Sequence, residues 1–130
     1  MSNRQLVRYP LTAKTTTGSF ANLFCHDFRN AVFQLHSIAA SDQVIKFVIS
    51  NQENKPDFTA ASSATNLWSY AQAIDLNDGS AITGSTGYTF VGIADKAFEI
   101  NTNAQTWVGV LITTGTAGAI SGVADLADNW

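Results

Sequence analysis

Cys25, His26 and Asp27 set a thiol, an imidazole and a carboxylate side by side. Acyl-transfer chemistry would need the thiol and the imidazole within hydrogen-bond reach. Consecutive residues of a strand point to opposite faces, so Cys25 and His26 are expected to diverge. His26 and His36 would suit a metal if their strands paired, with Asp27 as a third ligand; zinc usually takes three or four protein ligands. Asp75, Asn77, Asp78 and Gly79 have the oxygens of a calcium loop. An EF-hand places glycine at position 6 and glutamate at position 12, whereas here Gly79 falls at 5 and Thr86 at 12. Those residues fit a hairpin turn better. The segments 84–87 and 115–118 begin and end in glycine but lead into no Lys-Ser/Thr and no helix, so they are turns rather than phosphate cradles. Glu53 and Glu99 are the only glutamates, and nothing in their spacing sets up the close carboxylate pair of a retaining glycosidase. No catalytic residue, no cofactor and no metal is expected, and the chain is not expected to be an enzyme.

The aromatic residues offer a different chemistry. Trp68 and Tyr70 stand two apart, so on a strand they share a face. Together they could stack a sugar ring, which makes them candidate ligand-stacking residues. Trp107 opens an apolar run and is expected in the core. Trp130 ends the chain and is expected to anchor on a neighbour, as interface tryptophans do.

The totals narrow the class. Charged residues make up 13%, about half the usual quarter of a globular domain. Much of the surface must therefore be neutral, which suits a subunit covered by its neighbours. The net charge of −3 lacks the basic surplus of general nucleic-acid binding. Charge is uneven along the chain: Arg4, Arg8, Lys14 and Arg29 face only Asp27 in residues 1–29, while six acids face only Lys96 in residues 75–130. The two ends attract, either between copies or, as sheet folding favours, within one subunit. A lone cysteine excludes an internal disulfide. The opening residues lack the apolar run of a signal peptide, and no stretch approaches a membrane span. Neither a nucleic-acid nor a membrane partner is expected.

Short alternating segments must position these residues. The stretch 44–50 puts Ile45, Phe47 and Ile49 on one face and Val44, Lys46, Val48 and Ser50 on the other. Strands are also expected at 19–27, 32–38, 67–76, 88–93, 97–100, 107–112 and 119–123, with turns between them at the spacing of an antiparallel sandwich. Residues 107–112 are apolar throughout, as in a central strand covered on both faces. Residues 51–65 form a long irregular segment containing Pro56. The expected fold is all-β: an antiparallel two-sheet β-sandwich, jelly-roll-like, with about eight strands. The expected layout is an extended N-terminal arm over 1–18, a sandwich domain over 19–123 and a C-terminal tail over 124–130. Leu6, Val7, Tyr9 and Leu11 are too apolar for a solvated arm. With Trp130 they are the candidate assembly contacts.

In order along the chain, residues 17–123 resemble small jelly-roll structural proteins of tailed bacteriophages. The likeness rests on Gly18-Ser19, on the strand pair 32–36 and 44–51, and on the loop into Trp68 with Ile74 closing its strand. The late apolar strand running into 113–118 completes it. The chain departs from that group at Gln52, where an aspartate is usual, and in lacking an arginine in 107–112. The resemblance implies a virion structural protein, a capsid decoration or minor head protein. It would pair with itself, a trimer favoured, and with other virion proteins, after assembly in the host cytoplasm. The alternative is a carbohydrate- or receptor-binding module of a phage fibre or tail, with a glycan as partner and Trp68 or Tyr70 exposed in a groove. A small viral coat protein is the third option; it would need a basic RNA-facing sheet and C-terminal helices.

Overall fold

A computed structural model describes residues 6–12, 17–38 and 42–128. They form eleven strands and, among the described residues, no helix: β1 (Leu6–Thr12), β2 (Gly18–Phe24), β3 (Asn30–Ser37), β4 (Gln43–Ser50), β5 (Ser69–Tyr70), β6 (Ala73–Asp75), β7 (Ala81–Ile82), β8 (Tyr88–Phe90), β9 (Ala94–Asn101), β10 (Trp107–Thr114) and β11 (Ile120–Ala127). One sheet runs β1-β11-β3-β9-β6-β7 and the other β2-β10-β4-β5, and β8 also pairs with β4. All pairs are antiparallel. The long strands order as 1-11-3-9 in one sheet and 2-10-4 in the other, the two-sheet antiparallel sandwich the sequence predicts.

Alternation along each strand builds the core. Ala31, Phe33, Leu35 and Ser37 of β3 point inward, as do Ile45 and Phe47 of β4. Phe47 meets Phe33 at 6.2 Å and Phe98 at 5.1 Å between ring centroids, joining the two sheets. Tilted and edge-on aromatic contacts of this kind add to the burial itself. On β10 the run Val108 to Ile112 is buried without a break. Its inner side faces the sandwich core. Its outer side meets a second, smaller cluster of Val48, Phe58 and Leu111.

Four expectations change. Residues 6–12 are not a free arm: β1 pairs with β11 over seven residues, from Leu6 opposite Ala127 to Thr12 opposite Ser121. Pro10 interrupts nothing, because an edge strand bonds on one side only and is where proline is tolerated. The tail likewise begins later, since Ala124 to Ala127 belong to β11. The strand expected over 67–76 splits into β5 and β6, which lie in opposite sheets. Trp68 and Tyr70 therefore do not share a face with Ile74, and the strand count rises from about eight to eleven. Finally, Asp95 and Lys96 sit inside β9 rather than in a turn.

Candidate functional site

The residues that invited catalytic readings are dispersed. Cys25 is fully buried, and burial pushes its thiol up to about 12. His26 is exposed and lies 3.5 Å from Asp27. His36 sits on β3, in the sheet opposite β2, and its Nδ1 pairs with Asp95 Oδ1 at 2.7 Å. Glu99 accepts a hydrogen bond from Asn30 Nδ2 at 2.9 Å, whereas Glu53 follows β4 of the other sheet. Asp75 and Asp78 make the β6–β7 turn. Asp75 Oδ1 accepts from the Asn77 amide, Asp78 Oδ1 from the Ser80 amide and hydroxyl. Gly79 takes the positive φ of 79° that the turn needs.

A site does take shape on the outer face of the five-stranded sheet. Pairing places Gly109 of β10 beside Asn22 of β2 and Val48 of β4, with Tyr70 next to Val48. The segment 51–68 folds up over this face and is fastened to it. Ser50 Oγ donates to the Leu67 carbonyl, and Gln52 Oε1 accepts from the Leu67 amide. Trp107 Nε1 donates to the Gln52 carbonyl, and Asn22 Nδ2 to the Pro56 carbonyl. Asn66 closes the segment on itself: its Oδ1 accepts from the Asp57 amide, and its Nδ2 donates to the Asp57 and Ala61 carbonyls.

Phe58 is the segment's plug. Its ring lies over Gly109, where an added Cβ would come within 2.7 Å of it. Glycine there is a packing requirement, since a side chain would occupy the seat of the ring. Phe58 meets Trp68 edge-on at 5.9 Å, and Trp68 meets Tyr70 edge-on at 5.2 Å. The indole is fixed by Nε1 donating to the Ala60 carbonyl. An open groove of about 520 Å³ remains, lined by Thr17 and Gly18, by Phe58 to Ala61, by Trp68 and Tyr70, and by Leu111 to Thr113. Lys46 Nζ stands 5.5 Å from the centre of the Tyr70 ring, and Tyr70 keeps 44% of its surface exposed.

Sequence reasoning named Trp68 and Tyr70, and the structure brings them together in this groove. It missed Phe58, Gly109 and Leu111. A lone phenylalanine in a polar loop, and a lone glycine in an apolar strand, were the available signals. Trp107, expected in the core, lies instead on the outer face, half-buried against Phe24 at 5.2 Å. Val7, Tyr9 and Leu11 pack on the chain's own core, while Leu6 stays 50% exposed. Trp130 lies outside the described residues.

No family model matches the sequence, and no curated protein matches it. Two solved structures share the fold. The SPBc2 prophage-derived protein YomS aligns with a TM-score of 0.71 at 9% identity, over 98% of this chain and 97% of that one. The PBSX exported protein XepA aligns with a TM-score of 0.67 at 12% identity, over 98% of this chain and 39% of that one. The chain thus spans well under half the length of XepA, and nearly all of YomS.

Proposed function

We propose that this chain is a bacteriophage structural protein that acts by association rather than catalysis. The observation that carries the reading is the end-to-end likeness in fold to a prophage-derived protein of nearly equal extent. In its finer form the protein is a virion component, a capsid decoration or minor head protein, assembled in the host cytoplasm. Its partners are copies of itself, in a closed ring such as a trimer, and other virion proteins.

The fold supports self-association in one specific place. β2 is an edge of its sheet, and its seven residues carry neither a charge nor a proline. Natural edges are usually blunted by such residues, and an unblunted one is a template for pairing. β1, the edge of the other sheet, carries Arg8 and Pro10. Leu6, half-exposed at the start of β1, is the assembly contact that remains available of those on that strand.

Light scattering coupled to size exclusion tests this. The full chain is expected to run as one defined oligomer, and Ser19→Lys on the exposed edge of β2 to shift it towards monomer. A full-length chain that stays monomeric as its concentration is raised would overturn the self-association.

A further inference from the structure

We infer that the groove beside Trp68 and Tyr70 binds a neutral saccharide through the apolar face of a sugar ring. The inference does not rest on the assembly reading, although the two meet at Gly18, which lines the groove and opens the β2 edge.

Three observations converge. The first is the chemistry of the lining. Its aromatic wall is Phe58, Trp68 and Tyr70, its floor is Leu111, and Thr59 and Thr113 stand at its sides. None of the lining residues is charged. A ring whose C–H groups carry slight positive charge is attracted to the negative face of an aromatic. Its hydroxyls then meet threonine oxygens and backbone. Lys46 stands outside that lining, against the Tyr70 ring at 5.5 Å, where its ammonium can donate to a sugar hydroxyl at that end of the groove.

The second is rigidity. The aromatic wall is held before any ligand arrives: the Trp68 indole by the Ala60 carbonyl, the Phe58 ring by its seat over Gly109, the loop by Asn66. Thr59 donates its hydroxyl to Asp57 Oδ1, which leaves its oxygen as an acceptor facing a sugar hydroxyl. A preformed site avoids the ordering cost that weakens a loose one.

The third is shape. The groove holds about 520 Å³, within the range of small-ligand sites. It lies on the face of the sheet, with Leu111 of β10 as floor, and reaches the sheet's edges at Gly18 and Tyr70.

The test uses the full chain, isotope-labelled, titrated with a panel of neutral mono- and oligosaccharides while backbone amide shifts are followed. At least one sugar is expected to give saturable shifts confined to residues 58–61, 68–70 and 111–113. For a single ring in an open groove the Kd is expected on the order of 1 mM. Tyr70→Ala, an exposed position, is expected to keep the native spectrum and weaken binding at least about tenfold, a loss of about 1.4 kcal/mol. Absence of saturable shifts across the panel would overturn the proposal. So would shifts centred elsewhere, or binding that Tyr70→Ala leaves unchanged. Concentration-dependent protection of the groove without sugar would also overturn it, by giving the groove to a second copy.

Discussion

Cys25 shows how a single buried residue sets a testable chemistry. Its side chain is fully buried behind the end of β2, and its backbone amide donates to the Thr106 carbonyl at 2.8 Å. The thiolate is costly there, so burial raises the thiol from its ordinary 9.0 to about 12. A folded-state pKa above the unfolded one favours the protonated form in the native protein. The stability this contributes is complete below pH 9 and is lost as pH climbs from there towards 12. Unfolding midpoints measured by denaturant are therefore expected to fall across that alkaline window, and to fall less in Cys25→Ala. At neutral pH a thiol reagent is expected to label Cys25 only after denaturant is added. Rapid labelling of the native chain would show the thiol to be accessible. His26 next door is exposed, so adjacency in sequence placed the two side chains on opposite sides of the wall. The divergence was expected from strand alternation, but β2 ends at Phe24 and the turn that starts at His26 is what turns its ring to solvent. The burial of Phe58 was not legible, because nothing local distinguishes a loop phenylalanine that plugs a sheet from one that faces water.

The segment 51–68 depends on partners far away in sequence. Its lack of period reads correctly as irregular structure. Its place does not, because that is fixed by Asn22, Gly109 and Trp107, on strands the segment itself does not specify. The same limit explains the strand expected over 67–76. Hydrophobic alternation continues through Leu67 to Leu76, yet the chain stays on β4 only through Ala71, whose amide bonds the Phe47 carbonyl, and joins the other sheet at Ala73. Alternation reports burial and not which sheet buries a residue. Two substitutions test the plug. Phe58→Ala removes the centre of the outer cluster, and truncating a buried phenylalanine costs about 3–5 kcal/mol. Gly109→Ala leaves the ring but puts a methyl within 2.4 Å of the Ala21 carbonyl oxygen and 2.7 Å of the ring, an overpacking of about 1–3 kcal/mol. Both are expected to lower the thermal midpoint and to speed amide exchange in 52–68 more than in β3 or β9. Uniform exchange across the molecule would mean that the segment is not held by this seat.

At the scale of the whole molecule the two ends of the chain close the fold against each other. β1 and β11 are neighbours, so the first and last described strands complete one sheet together. Two pairs of the opposite charges at the two ends meet there within one subunit. Arg8 Nε donates to Asp125 Oδ1 at 2.8 Å and Arg8 Nη2 to Asp125 Oδ2 at 3.1 Å, while Arg29 stands 3.9 Å from Asp128. Arg8 faces solvent, so Arg8→Ala is expected to change stability little and to lose even that effect in high salt. Removing β1 itself is another matter. Val7, Tyr9 and Leu11 cover core that β11 would otherwise expose, and the ladder of β11 would become a bare edge. Deletion through Thr12 is therefore expected to unfold or aggregate the chain, seen as loss of the cooperative transition by circular dichroism. That outcome separates a strand of the fold from an arm reaching a neighbour, since an arm could be removed with the transition intact and only the oligomer lost. A truncated chain that melts as the full one does would return residues 6–12 to the role of an assembly arm and move the self-association contacts from the edge of β2 to the N-terminus.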